Sequence, residues 1–156
     1  MIRRACDKDI DRVNALLQQV LTVHAEGRPD IFKAGTTKYT DGELKEIFRN
    51  DETPVFVYTD ENDVTVGYCF CIFEEIRNSN NMYDMKSIYI DDLCVDEACR
   101  GQGIASQLYS YVKQYAKDTG CGKITLNVWE INPGARAFYD SMGMKPLKTV
   151  MEDILS

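Results

Sequence analysis

The sequence predicts a mixed α/β fold in a single domain spanning residues 1–156. Three observations predict it. The length of 156 residues suits one compact unit. The composition, 44% hydrophobic and 28% charged, supplies enough apolar surface for a core and excludes disorder or a fibrous assembly for the whole chain. Along the chain, apolar runs with a period of two alternate with apolar runs at helical spacing.

The elements follow in order. Ile2 to Ala5 reads as a short strand, and Asp7 is placed to cap a helix whose apolar positions are Ile10, Val13, Leu16, Leu17, Val20 and Leu21. His24 to Asp30 is rich in turn formers, and a second helix begins near Thr40 or Asp41, turning Leu44, Ile47 and Phe48 inward. Pro54 to Thr59 and Val64 to Glu75 are β-rich runs joined by Asp60 to Asp63, the pattern of a hairpin. Arg77 to Asn81 is a polar loop, and Met85 to Val95 is a further strand. Gln102 to Thr119 is the longest helix and ends at Gly120, which suits a left-handed cap. Lys123 to Trp129 alternates as a strand, Asn132-Pro133-Gly134 is a turn, Ala135 to Ser141 is a short helix, and a final β stretch follows Gly143. No repeat, low-complexity segment or linker marks a second domain.

Charge and cysteine content narrow the function. Eighteen basic against 25 acidic side chains give a net charge of −7, which repels phosphate backbones; no basic patch offsets it, so nucleic acid is not an expected partner. The same balance favours cationic small molecules. The longest apolar stretch, Gly67 to Phe73, is far short of the roughly 20 residues of a membrane span, and the N-terminus has no apolar signal region. The expectation is a cytoplasmic protein whose six cysteines remain thiols; Cys69 and Cys71 lack the spacing of a zinc or redox motif. With His24 the only histidine, no metal site is expected.

The informative segment runs from Tyr89-Ile90-Asp91-Asp92-Leu93-Cys94-Val95 to Arg100-Gly101-Gln102-Gly103-Ile104-Ala105-Ser106. A strand leads to a turn with two glycines, and a long helix starts there with unsatisfied amides and the positive end of its dipole, a site for phosphate. Glycine lets an anion approach the backbone closely. A dinucleotide fingerprint would need Gly or Ala where Ser106 stands, and a P-loop would need a lysine that does not follow Gly103. The pattern R/Q-x-x-G-x-G/A remains, met by Arg100, Gly103 and Ala105.

With this turn stand Ile90 to Asp96 and the run Asn132-Pro133-Gly134-Ala135-Arg136-Ala137-Phe138-Tyr139-Asp140-Ser141-Met142-Gly143-Met144. In order and spacing, Tyr89 to Met144 resembles the GNAT superfamily of acetyl-CoA-dependent N-acetyltransferases, whose signature includes N-x-x-A-x-x-F-Y-x-x-x-G-F. The resemblance implies a mixed, mostly antiparallel sheet with a central splay between two parallel strands. It implies acetyl-CoA as co-substrate: Leu93, Cys94 and Val95 would pair with the pantetheine arm as an extra strand would. The amides of Arg100, Gly101, Gln102, Gly103, Ile104, Ala105 and Ser106 would hold the pyrophosphate, Asn132 would touch the arm, and Arg136 would reach a CoA phosphate.

By the same resemblance, Tyr139 holds the general-acid position, and a backbone amide near Leu93 or Cys94 would polarise the thioester carbonyl. Asp91 and Asp92 stand where relatives carry a carboxylate that takes the amine proton, here Asp for Glu, with shorter reach. Strand alternation points the two to opposite faces, so one of them faces the cleft; the sequence leaves open which. His24, Arg28 and Asp30 lie where relatives vary the acceptor pocket, and Tyr39, Tyr83 and Tyr89 are candidates for its mouth. The implied reaction is acetyl transfer to a primary amine of a small molecule in a ternary complex, since nothing near Cys94 or Cys99 activates a thiolate carrier. The resemblance allows a homodimer, although no stripe marks an interface. The competing reading is a non-catalytic CoA-binding module.

Overall fold

The computed structural model describes all 156 residues. Five strands form one sheet in the order β1 (Ile2–Arg4), β2 (Val55–Thr59), β3 (Thr65–Ile76), β4 (Met85–Val95), β5 (Lys123–Leu126). The first three pairings are antiparallel and β4–β5 is parallel. Helices α1 (Ile10–Gly27) and α2 (Asp41–Arg49) cover one face; α3 (Ile104–Asp118) and α4 (Pro133–Ser141) cover the other.

Alternation along the strands divides the core in two. Val55 and Val57 on β2, with Tyr68 and Phe70 on β3, pack against Val13 and Leu16 of α1 and Leu44 and Phe48 of α2. The opposite positions Phe56, Cys69 and Cys71, with Ile88 and Ile90 of β4, meet Leu108 and Val112 of α3. Each side chain goes to the face its parity dictates. α2 starts on a capping box, with the Glu43 amide donating to Thr40 Oγ1 at 3.2 Å and the Thr40 amide to Glu43 Oε1 at 3.0 Å. Gly67 admits α3: a Cβ there would lie 3.2 Å from the Cys94 carbonyl and 3.2 Å from Leu108 Cδ1.

Several boundaries differ from the sequence reading. Asp7 does not cap α1. It begins a 3-10 turn, Asp7–Asp9, and its carboxylate accepts from Arg49 at 3.0 Å. α1 runs through His24 to Gly27, because nothing before Pro29 interrupts its backbone bonds and the Arg28 amide still reaches the His24 carbonyl. β5 stops at Leu126 rather than Trp129. α4 begins at Pro133, whose missing N–H is harmless in the first turn, with Asn132 Oδ1 accepting from the Ala135 amide at 3.1 Å. The β stretch expected after Gly143 does not form: Met144 to Ser156 runs without turn, bend or ladder, and Lys145 to Ser156 is exposed throughout.

Candidate functional site

The site is built where β4 outruns its neighbour. Pairing with β5 covers Ser87 to Ile90, leaving Asp91 to Val95 without a partner on that side. The register with β3 shifts at the same point: Cys71 pairs with Ile90 and Phe70 with Asp92, so Asp91 is an extra residue, a β-bulge. Ile88 and Ile90 face α3 before the bulge, and Leu93 and Val95 face it afterwards. The bulge overturns the expectation that Asp91 and Asp92 point to opposite faces. Asp91 pairs with Lys38 at 3.2 Å, Asp92 accepts from the Tyr68 hydroxyl at 2.8 Å, and the Lys38 charge acts on both. A period-two reading carries no signal for an inserted residue.

Beyond the free stretch lies the start of α3. Gly101 (φ 80°) and Gly103 (φ 75°) are left-handed, a conformation that strains other residues, and no side chain caps the helix. The amides from Arg100 to Ser106 donate to no acceptor within the protein. A Cβ at Gly101 would have nothing within 4 Å, so the approach to these amides is open. Open donors at a helix N-terminus beside an unpaired strand edge suit an extended ligand carrying phosphates, and acetyl-CoA has that form.

Electrostatics differ across the site. Desolvation raises the Asp92 pKa, and the hydrogen bond from Tyr68 partly opposes this. Burial disfavours the Lys38 ammonium, yet Asp91, Tyr39 and Asp92 raise its pKa on balance. Lys38 lies 5.4 Å from the centre of the Tyr39 ring, which stacks on Phe70 at 6.0 Å. Tyr89 accepts a hydrogen bond from Asn127 at 3.1 Å. Tyr39 and Tyr89 therefore belong to the carboxylate cluster, whereas Tyr83 does not. It is 93% exposed in the β3–β4 loop, and from Met85 to Asp91 alone the strand spans roughly 20 Å.

Tyr139 lies on α4 against the core on the α3 face, edge-on to Phe138 at 5.1 Å. Burial raises its pKa strongly, Asp92 and Cys94 act in the same direction, and its hydroxyl makes no hydrogen bond within the protein. Burial also pushes the Cys94 thiol up to about 12, so no thiolate is available there. Arg136 is exposed and pairs with Asp140 at 3.1 Å.

The expected acceptor residues divide. His24 lies tilted against Phe32 at 4.9 Å and 6.0 Å from Trp129, while Phe32 meets Trp129 edge-on at 5.1 Å; desolvation, then Lys38, lowers the His24 pKa. Arg28 is held by Asp30 at 2.8 Å and Glu152 at 2.6 Å, so neither Arg28 nor Asp30 is a free contact. Lys38, Tyr68, Phe32 and Trp129 were not singled out from the sequence. Tyr68 sits inside the apolar run Gly67 to Phe73, where a hydroxyl reads as incidental, and Lys38 lies in a loop without periodicity. No group of His, Cys, Asp and Glu is arranged to hold a metal ion, and no helix is long and apolar enough to cross a membrane.

A parallel pair of strands that part beside an uncapped helix start is the arrangement of the GNAT fold. Residues 18–144 match the family model described as the acetyltransferase (GNAT) family, and the chain belongs to that family. A mutant form of the BH1408 protein from Bacillus halodurans is 31% identical and superposes with a TM-score of 0.96, covering 100% of this chain and 99% of that one. Bovine thialysine N-epsilon-acetyltransferase is 33% identical over 82 residues, 53% of this chain and 45% of that protein. The chain therefore matches less than half the length of that curated relative. The aminoglycoside N-acetyltransferase AAC(6')-Iy, solved in complex with CoA, shares the fold at a TM-score of 0.72 and 15% identity, covering 99% of this chain and 93% of that one.

Proposed function

We propose that this chain is an N-acetyltransferase that moves the acetyl group of acetyl-CoA to a primary amine of a small, cationic molecule within a ternary complex. One observation carries the reading: the unpaired edge of β4 from Asp91 to Val95 leads directly to the free amides of Arg100 to Ser106. The bound thioester supplies an activated acetyl carbonyl and a thiolate leaving group. The backbone at Leu93 to Val95 aligns the pantetheine arm, the α3 amides hold the diphosphate, and a β4 amide near Leu93 or Cys94 draws charge onto the carbonyl oxygen. The side-chain amide nitrogen of Asn132 is free to meet the arm, since its oxygen is committed to capping α4. Arg136 reaches a CoA phosphate by releasing Asp140.

The acceptor enters from the side of Lys38, Tyr39 and Tyr89. An incoming ammonium competes with Lys38 for Asp91, and the net charge of −7 favours such an acceptor. Asp92, its proton affinity raised by burial and its orientation set by Tyr68, takes the amine proton through water. Tyr139, kept protonated by burial, gives its proton to the departing thiolate; low dielectric raises the basicity of both groups, which keeps the transfer matched. His24, Phe32 and Trp129 form an apolar wall beside this entrance. Arg28 and Asp30 support the wall through their own ion pair.

The test is thiol release from acetyl-CoA across a panel of amines: lysine-like ω-amines, polyamines, aminoglycosides and N-terminal peptides. Release with a small cationic amine, falling at least 100-fold in kcat in Tyr139→Phe with acetyl-CoA binding unchanged, is the expected result. Binding of acetyl-CoA with no release from any amine identifies a non-catalytic module instead.

A further inference from the structure

The acceptor entrance holds two features that a bare amine does not use. The first is Lys38. Its ammonium lies 3.2 Å from Asp91 and its charge acts on Asp92, so the two carboxylates at the bulge share this cation. Arg28 is committed to Asp30 and Glu152 and offers no replacement. An acceptor that brings only an ammonium to Asp91 expels Lys38 from its partner, although burial already disfavours the Lys38 charge. An acceptor that also carries a carboxylate leaves neither Asp91 nor Lys38 unpaired. Because Asp91 and Lys38 touch, that carboxylate has to stand next to the reacting amine, as it does in an α-amino acid, where one carbon bears both groups. Asp91, the acceptor ammonium, the acceptor carboxylate and Lys38 then alternate in sign around a ring.

The second feature is the aromatic wall. His24, Phe32 and Trp129 have ring centres 4.9, 5.1 and 6.0 Å apart, and Trp129 keeps 39% of its surface exposed. Asn127, just before Trp129 in the chain, donates to the Tyr89 hydroxyl at 3.1 Å, and the Lys38 charge reaches the His24 ring, so the wall and the ion pair border one space. Burial and Lys38 both lower the His24 pKa, which keeps its ring neutral and unable to repel a cation. Exposed aromatic faces attract cations, and the indole ring does so most strongly. The formal charges agree: Asp91, Asp92 and Lys38 sum to −1, which an acceptor of net charge +1 balances.

Given acetyl transfer at this entrance, the reading on which this rests, we propose that the acceptor is a dibasic α-amino acid acetylated on its α-nitrogen, with its ammonium on Asp91, its carboxylate on Lys38 and its distal cation over Trp129 and Phe32. The ammonium first loses one proton through water to Asp92. The α-nitrogen then bonds to the acetyl carbon as the thioester carbon–sulfur bond breaks; the thiolate takes the proton of Tyr139, and the proton shed by the new amide replaces it.

Thiol release from acetyl-CoA is measured with arginine, agmatine and norleucine, each of which has a single amine open to acetylation. Agmatine lacks the carboxylate and norleucine the distal cation. In the native chain kcat/KM for arginine is expected to exceed that for agmatine about tenfold and that for norleucine about fivefold. Lys38→Met is expected to erase the advantage over agmatine and Lys38→Arg to keep it, whereas Trp129→Leu erases only the advantage over norleucine; calorimetry is expected to show unchanged acetyl-CoA affinity in all three variants. Agmatine matching arginine in the native chain overturns the proposal, as does Lys38→Met slowing both alike or Trp129→Leu slowing arginine and norleucine alike. Release from other amines but not from arginine overturns this proposal alone, and release from no amine overturns the acetyltransferase reading with it.

Discussion

Replacing Tyr68 with Phe removes one oxygen and isolates its contact with Asp92. The ring is fully buried and keeps its packing against Phe70, 5.0 Å away, so the change falls on the 2.8 Å hydrogen bond to Asp92 Oδ2. A hydrogen bond to a carboxylate contributes about 1.5–3 kcal/mol, and the lower end applies because Asp92 keeps some contact with solvent. At 1.36 kcal/mol per pH unit this corresponds to about one unit. The hydroxyl favours the ionised carboxylate, so its loss raises an already raised Asp92 pKa. The acidic limb of kcat/KM for thiol release is therefore expected to move up by about one unit, with little change on the alkaline side. Stability has the same sign structure. A carboxyl whose folded pKa lies above its unfolded value contributes most at low pH and less as pH rises through the folded value. Tyr68→Phe is accordingly expected to lower urea stability at pH 7 and to lower it much less near pH 3. An acidic limb that stays in place, together with one that persists in Asp92→Asn, would refute Asp92 as the proton acceptor.

Two further substitutions test the scaffold. Gly101→Val puts a β-branched residue at φ 80° where a Cβ meets no atom, so the folded chain loses only about 1–2 kcal/mol to backbone strain, whereas calorimetry is expected to show at least tenfold weaker acetyl-CoA binding; unchanged affinity would remove the turn from the diphosphate site. Asp9 is 2% exposed; desolvation disfavours its charge, but Arg3, the Cys6 amide and Thr65 prevail and hold its pKa at about 2. Asp9→Asn is expected to destabilise by about 3–5 kcal/mol at neutral pH, measured by denaturant unfolding. The native carboxylate contributes stability above the ordinary Asp pKa and loses it as pH falls through about 2, so the gap between variant and parent is expected to narrow at the acid end.

Periodicity made helices α1, α2 and α3 legible, because Val13, Leu16, Leu44, Leu108 and Val112 repeat at helical spacing, and the β-rich runs marked β2, β3 and β4. The glycine turn was legible for a different reason: Gly101 and Gly103 require φ values that other residues resist. What escaped the sequence depends on tertiary pairing. The bulge at Asp91 is set by the registers of β3 on either side of it, and nothing in Tyr89 to Val95 announces an extra residue. β5 ends at Leu126 although Asn127 and Val128 continue its alternation, because the Asn127 side chain goes to Tyr89 and Trp129 packs on Phe32. Met144 to Ser156 reads as β-rich by composition, yet within one chain it finds no ladder to join.

These departures share a cause. β4 has eleven residues and β5 only four, so the parallel pair opens by geometry rather than by a special motif. The bulge falls at the first β4 residue without a β5 partner, where twist is no longer restrained on that side, and it turns two consecutive carboxylates toward one entrance. The short β5 thus has two consequences. On its inner side the stretch of β4 from Asp91 to Val95 stays unpaired and open to an extended ligand; on its outer side the four-residue ladder of β5 has no neighbouring strand. Lengthening β5 within the chain would pair more of β4 and close the first opening, so the shortness of β5 is itself what keeps that edge free.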